Sequence, residues 1–180
     1  MARHRLRIAG VTLIELLVAL TLFSLLMTFG VPTYARWMAE YRQLNQAQAL
    51  ASALTLARSE AIKHGFRVNV CKSRDGRLCA DHGGWTPGWL VHTDDNADGQ
   101  VGDEDNVVRV ELARPDRITI VGNRPVADYV SYTSLGHARL SNGALQMGAF
   151  TVCTSGLTAL KVILANSGRV RIAKTSEPCA

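Results

Sequence analysis

The amino-acid sequence predicts an α+β fold, in which one long N-terminal helix packs against a globular head of antiparallel β-sheet. Three observations predict it. Residues 11–31 form an apolar run, VTLIELLVALTLFSLLMTFGV, whose one charge is Glu15. Residues 32–64 carry apolar side chains at the three- and four-residue spacing of an amphipathic helix. Residues 65–180 divide into short β-prone runs separated by Gly, Asn and Pro.

The run 11–31 is long enough to cross the roughly 30 Å hydrocarbon core of a bilayer as one helix. The residues before it carry Arg3, Arg5 and Arg7 and no acid, so the positive-inside tendency keeps that end in the cytoplasm and exports the rest. The alternative is an ordinary secretory signal peptide, which has a shorter apolar core followed by a small-residue cleavage site. We therefore expect a single-pass membrane protein with an exported head.

We expect the helix to be kinked at Pro32, which removes a backbone hydrogen bond, and to end at Gly65, a favoured C-cap residue. An apolar stripe should face the sheet, whereas polar residues such as Gln43 and Arg58 should occupy other faces. The stripe comprises Leu44, Ala47, Leu50, Ala51, Leu54, Ala57, Ala61 and Ile62. The predicted strands are residues 66–71, 89–92, 107–112, 118–121, 149–154, 160–164 and 169–172. The third strand should pair with the second and have one face covered by the helix.

The four cysteines agree with export, because their number is even and none stands in the C-x-x-C spacing of a metal site. Four cysteines allow three disulfide pairings, and the sequence alone does not choose among them. Proximity favours Cys71 with Cys79, which closes a short loop, and Cys153 with Cys179, which ties the C-terminal tail to a strand.

The segment Gly10-Val11-Thr12-Leu13-Ile14-Glu15-Leu16, with the apolar run and Pro32 after it, resembles the N-terminal signature of type IV pilins and secretion pseudopilins. The resemblance implies that a prepilin peptidase removes the leader 1–10 by cutting between Gly10 and Val11 and methylates the new N-terminus. Val11 departs from the commoner phenylalanine. The implied fold is type IV pilin-like, with residues 11–31 as transmembrane and filament-core helix, 32–64 as amphipathic helix and 65–180 as head.

The same resemblance implies the location and the first partners of the protein. The chain would sit in the bacterial inner membrane with its head in the periplasm, and at the cell surface once assembled with other major and minor pilins. A carboxylate in a membrane helix costs a few kcal/mol unless it has a partner. For Glu15 the implied partner is the amine of Val11 on a neighbouring subunit, which would make it an assembly residue. The alternative is a glutamate neutralised by the N-terminus of its own subunit.

An acidic loop spans residues 94–105 and matches the spacing of a calcium loop, with oxygen side chains at Asp94, Asn96 and Asp98, a glycine next, and Asp105 at the twelfth place. Its flanks resemble strands and not helices, and its last ligand is shorter than the usual glutamate. The alternative is a solvated hairpin loop. We expect no metal and no cofactor to be required.

Positive charge is concentrated in the C-terminal half, because residues 129–176 contain no acid. The basic residues there are Arg139, Lys161, Arg169, Arg171 and Lys174. Removal of Arg3, Arg5 and Arg7 would leave 17 of the 20 Lys and Arg residues against 15 Asp and Glu, a net charge of only +2. In the run Gly168-Arg169-Val170-Arg171 the two arginines should share one strand face, a pattern that suits phosphate oxygens along a duplex.

The Trp85–Trp89 region with its Asp-rich loop, the basic hairpin and the tail cysteine resemble the FimT/GspH group of minor pilins and pseudopilins. In the FimT branch a Gly-Arg-x-Arg motif is implicated in binding double-stranded DNA during natural transformation, which implies a site at Gly168, Arg169 and Arg171. Lys174 and Arg139 are candidates by charge. The alternative function is that of a GspH-type minor pseudopilin, a structural subunit of a type II secretion filament.

An enzyme is not expected. The five histidines are dispersed, no serine stands in a G-x-S-x-G pattern, and the acids gather in one loop instead of forming a separated pair. The sequence also has no nucleotide-binding glycine motif.

Overall fold

The computed structural model describes residues 10–102, 105–112 and 117–179, and its elements confirm the predicted α+β class. The helix α1 spans Leu13–His64. The strands are β1 Val68–Lys72, β2 Gly88–Thr93, β3 Val107–Leu112, β4 Ile118–Gly122, β5 Tyr129–Tyr132, β6 Gly148–Thr154, β7 Thr158–Leu164 and β8 Val170–Pro178. A short 3₁₀ turn, Arg124–Val126, lies between β4 and β5. Gly65 ends α1 as expected, with a φ of 76° and its N–H 3.0 Å from the Ala61 carbonyl.

The chain forms two compact units, the first ending at Ala39 and the second beginning at Glu40. In the first unit the helix exposes its apolar side chains and passes through Pro32 without interruption. By length and composition this part of α1 is able to cross a membrane. The predicted leader lies, apart from Gly10, outside the described residues.

In the second unit α1 contributes one face to the hydrophobic core. The stripe is largely confirmed, with Ala47, Leu50, Leu54, Ala57 and Ala61 fully buried. Two expectations for α1 are wrong. Gln43, assigned to a polar face, is buried because its Nε2 donates to the carbonyl oxygens of Val152 (3.0 Å) and Thr158 (2.9 Å). Ile62, assigned to the stripe, is 52% exposed at the last turn of the helix.

The head contains two four-stranded antiparallel sheets, in the orders β3-β2-β1-β5 and β4-β6-β7-β8. β5 was not among the predicted strands, and β1 is buried at every position. β3 pairs with β2 as predicted. It is an edge strand with side chains exposed on both faces, so the expectation that the helix covers one of its faces is wrong. Residues of α1 and of both sheets share one core, in which Trp85 meets Phe150 edge to face.

Both favoured disulfides are present. Cys71 pairs with Cys79 across 5.6 Å between Cα atoms, and Cys153 pairs with Cys179 across 5.4 Å. The first closes the loop that follows β1. The second attaches the residue after β8 to β6, at the end of β8 that is remote from the basic hairpin.

Candidate nucleic-acid interface

The predicted Gly-Arg-x-Arg motif occupies the tight hairpin between β7 and β8. Gly168 closes the turn, its N–H donating to the Ala165 carbonyl at 2.9 Å, and has a φ of 80°. A Cβ on Gly168 would clash with the carbonyl oxygen of Gly136 and would lie 3.2 Å from Nε of Arg58. The glycine is therefore needed both for its backbone conformation and for the close approach of another loop.

Arg169 and Arg171 lie on the solvent face of the sheet edge, as predicted from strand alternation. Val170 and Ile172 stand opposite Leu164 and Val162, whose side chains are buried, so the two arginines point the other way. Both are exposed, and within the described residues neither side chain has an ion pair or a hydrogen bond. Their guanidinium groups are available to a ligand.

Lys174 is exposed but lies on the other face of β8. It stands opposite Leu160, in the same alternation as Val170 and Ile172. It extends the positive charge along the sheet edge without sharing the face of Arg171.

The structure brings Arg139 to the same hairpin. Its Nη1 donates to the carbonyl oxygens of Ala138 (3.0 Å) and Asn166 (3.4 Å), and Asn166 also accepts the N–H of Ala138 at 3.2 Å. The loop after β5 is thus hydrogen-bonded to the turn that precedes Arg169. Arg139 is half-buried and can present only part of its guanidinium.

Two further arginines lie next to this hairpin, and neither was predicted from the sequence as a site residue. Arg58 of α1 donates through Nε to the Gly136 carbonyl at 3.0 Å. Arg67, just before β1, donates through Nη1 to Ser131 Oγ at 2.7 Å and to the Arg139 carbonyl at 3.2 Å. The signal in the sequence was only their charge, because helix or strand periodicity says nothing about which elements meet. We call Arg58, Arg67, Arg139, Arg169 and Arg171 the basic surface.

The carboxylates that the structure places on neighbouring elements have other partners. Glu177 of β8 pairs with Lys161 at 2.9 Å, and Glu60 of α1 lies 3.2 Å from His64. Lys161 was counted among the basic residues of the C-terminal half, but its charge is neutralised by Glu177. The described residues show no ion pair within the basic surface, so its charges reinforce one another.

The predicted assembly residue Glu15 takes part in a capping box. Its Oε2 accepts the N–H and the Oγ1–H of Thr12, both at 2.9 Å, and its own N–H donates to Thr12 Oγ1 at 3.3 Å. In this single chain the Glu15 carboxylate therefore accepts hydrogen bonds at the N-terminus of its own helix. Thr12 was missed as a partner, although the T-x-x-E spacing was its signal. Gly10 and Val11, the predicted processing residues, are both exposed.

The acidic loop is hydrogen-bonded internally. Asp94 is buried and accepts Nδ2 of Asn69 at 2.5 Å, while Asp98 accepts the N–H of Gln100 at 2.7 Å and Asp105 accepts that of Gly102 at 2.8 Å. Asp103 and Glu104 lie outside the described residues. In the described part of the loop, three carboxylates do not gather their oxygens within 4.8 Å of one another.

Two family models match the chain. One, described as Type II transport protein GspH, matches residues 46–168, and the other, described as Prokaryotic N-terminal methylation motif, matches residues 5–31. No curated protein sequence matches the chain.

Solved structures are similar to the chain. The type IV minor pilin FimU of Pseudomonas aeruginosa strain PAO1, in space group P21, has a TM-score of 0.59 and 16% identity over 78% of this chain and 98% of that chain. The same protein in space group P65 has a TM-score of 0.53 and 15% identity over 74% and 98%. The minor pseudopilin EpsH from the Type 2 Secretion System of Vibrio cholerae is also similar, with a TM-score of 0.47 and 15% identity over 73% and 96%.

The FimU match establishes the type IV pilin-like fold, and the methylation motif places the pilin signature at the start of the chain. Since the GspH model covers well over half of the sequence, the protein belongs to the GspH family and is a minor pilin or pseudopilin.

Proposed function

We propose that this minor pilin binds double-stranded DNA through the basic surface and serves DNA uptake in natural transformation, as in the FimT branch. The observation that carries the proposal is the convergence of five arginines from four separate segments, joined by hydrogen bonds around Gly136 and Gly168. A head that needed arginine only for solubility would not require the segments that carry these arginines to meet.

Arginine suits phosphate better than lysine does, because its planar fork donates two parallel hydrogen bonds to phosphate oxygens. Arg169 and Arg171 are the principal contacts, since they are exposed and lack protein partners among the described residues. The other three arginines already donate some of their N–H groups to carbonyl oxygens, so they attract DNA mainly through their positive charge. They are Arg58, Arg67 and Arg139. Binding of this kind depends little on sequence and strongly on salt.

The test replaces Arg169 and Arg171 together with Gln and measures binding to duplex DNA at two salt concentrations. Each lost phosphate contact should lower the slope of log K against log salt by about 0.9, so the double variant should lose about 2 from that slope and at least about tenfold in affinity at low salt. Arg109→Gln is the matched control, because Arg109 is a strand arginine of the other sheet already paired with Glu111 at 3.3 Å.

Arg109→Gln should bind DNA as the unchanged chain does. Equal binding by the Arg169→Gln/Arg171→Gln variant at low salt would refute the DNA assignment, provided that its circular dichroism is unchanged.

The second candidate function is that of a GspH-type minor pseudopilin in a type II secretion system, which the description of the matching family model favours. In that role the head contacts proteins and has no use for a phosphate-binding surface. The neighbouring genes separate the two functions, because pilus and competence genes accompany the first and a secretion operon accompanies the second. Absence of duplex binding by the unchanged chain at low salt would favour the second.

Both functions share the same route of biogenesis. A prepilin peptidase would cut between Gly10 and Val11, after which the chain would stay in the inner membrane until it joins other pilins. The exposure of both residues ahead of the first helical turn supports this, because a protease needs an extended and accessible segment.

A further inference from the structure

A histidine stands beside one of the two disulfides. The ligand atoms of Cys71 on β1, Cys79 in the loop between β1 and β2, and His92 on β2 all lie within 4.8 Å of one another. His92 is completely buried, and its Nε2 is 3.7 Å from Sγ of Cys79. This cluster takes no part in the basic surface.

The hydrogen bond on the far side of the ring orients the histidine. Nδ1 lies 2.6 Å from the carbonyl oxygen of Thr93. A carbonyl oxygen can only accept, so Nδ1 carries the proton and Nε2 presents a lone pair to the sulfur. Metal-binding histidines usually have this arrangement, in which the second nitrogen is held by a carbonyl or carboxylate.

We propose that the head binds one Zn²⁺, or a metal ion of similar softness, through Cys71, Cys79 and His92 whenever the disulfide between the two cysteines is reduced. A dithiol reductant supplies two electrons and two protons, which turns the protein disulfide into two thiols and the reductant into a disulfide. Zn²⁺ then replaces the two thiol protons, which pass to the solvent. Two thiolate sulfurs and one imidazole nitrogen are zinc ligands, and water completes the fourth position.

Oxidation closes the site, because disulfide sulfurs carry no negative charge and are poor ligands. The two cysteines would therefore bind metal together with His92 while they are reduced, and would be joined by a covalent bond once they are oxidised. In the described residues the other disulfide, Cys153 with Cys179, belongs to no such cluster, which makes it an internal control.

The test uses the full-length chain in detergent, with Cys153 and Cys179 changed to Ser, reduced by a dithiol and freed of it under argon. Co²⁺ is the probe, because thiolate bound to Co²⁺ gives a charge-transfer absorption whereas Zn²⁺ is colourless. We expect this absorption to saturate at one Co²⁺ per chain, to disappear when one equivalent of Zn²⁺ is added, and to persist in excess Ca²⁺. His92→Asn should weaken Co²⁺ binding at least about tenfold.

The matched control is the reduced Cys71→Ser/Cys79→Ser chain, which keeps the other two thiols and should give no such absorption. Equal absorption in this control would overturn the proposal, as would equally tight Zn²⁺ binding by the oxidised chain, which would place the metal in the acidic loop. Circular dichroism follows the fold of each variant. If reduction or His92→Asn unfolds the head, recovery of the fold on adding Zn²⁺ to the reduced Cys153→Ser/Cys179→Ser chain supports the site, and failure to recover rejects it.

Discussion

At the scale of single residues, the glycine of the Gly-Arg-x-Arg motif is a structural residue. Gly168 permits the carbonyl of Gly136 to approach the hairpin, and that carbonyl is held in turn by Nε of Arg58. A side chain at Gly168 would push the two loops apart and separate Arg139 from Arg169. The motif therefore joins two roles, with the glycine placing the surface and the arginines forming it.

Tyr132 lies beneath this surface with its hydroxyl buried and, among the described residues, without a hydrogen-bond partner. A buried unsatisfied hydroxyl costs about 1–3 kcal/mol, so Tyr132→Phe should raise the free energy of unfolding by about 1 kcal/mol. Denaturant unfolding of the solubilised chain measures it. Tyr129→Phe is the control, because the Tyr129 hydroxyl bonds to the N–H and Oγ of Ser141 and its removal should destabilise the head slightly.

Tyr132→Phe should also change how the free energy of unfolding depends on alkaline pH. Burial raises the pKa of Tyr132 above its ordinary value of 10.0, so above that pH the unfolded chain releases a proton that the folded chain retains. Stability therefore falls as pH rises through about 10 and beyond. The difference in unfolding free energy between Tyr132→Phe and the unchanged chain should widen from about pH 8 to about pH 11. A constant difference would contradict the buried, neutral tyrosine.

At the scale of elements, α1 is held to the sheets by a polar residue as well as by its apolar stripe. The amide of Gln43 bonds to β6 and to the first residue of β7, which fixes the axial position of the helix against the second sheet. A stripe of alanines and leucines alone can slide by one turn, because successive turns of the stripe offer similar side chains. The buried amide removes this ambiguity.

The contribution of the stripe itself is large and measurable. Leu50 is fully buried in the core, so Leu50→Ala should lower the free energy of unfolding by about 2–5 kcal/mol. Ile62 lies on the same helix but is 52% exposed, so Ile62→Ala should change it by no more than about 0.5 kcal/mol. Denaturant unfolding of both variants measures the contrast. A similar loss of unfolding free energy in the two variants would mean that α1 does not bury the face that carries Leu50.

At the scale of the whole molecule, the two units are suited to different surroundings. The first exposes its apolar helix and the second buries its own core, so each is consistent with a different solvent. Glu15 is the one acidic side chain of the apolar run and has a partner within its own chain, Thr12. The role in assembly that we propose for Glu15 can therefore be tested separately from its capping of the helix.

Glu15→Val and Thr12→Val make that separation. Both remove the capping box, but only Glu15→Val removes the carboxylate that would meet the amine of a neighbouring subunit. We expect both variants to insert in the membrane, Thr12→Val to co-purify with other pilins nearly normally, and Glu15→Val to be lost from the filament about tenfold or more, since an unpaired amine in a membrane bundle costs a few kcal/mol. Equal losses in the two variants would assign Glu15 to capping alone.

The features that depend on local pattern are predictable from the amino-acid sequence. The apolar run, the end of α1 at Gly65, the span of β3 and the shared face of Arg169 and Arg171 were all predictable, because each follows from periodicity or turn residues. The two disulfides were favoured by proximity, but the sequence left their pairing open. β5 was missed because its four residues carry no clear alternation. Gln43 was misplaced because its hydrogen-bond partners are more than 100 residues away in sequence.

The three-dimensional fold alone shows where residues that are distant in sequence meet. It places Arg58 and Arg67 at the basic hairpin and pairs the charge of Lys161 with that of Glu177. It also leaves β3 at the edge of its sheet and places His92 beside Cys79. None of these follows from local pattern, because contacts between elements depend on how sheets are ordered and paired. The order of strands in a sheet is set by packing over the whole core, and no short segment of the chain encodes it.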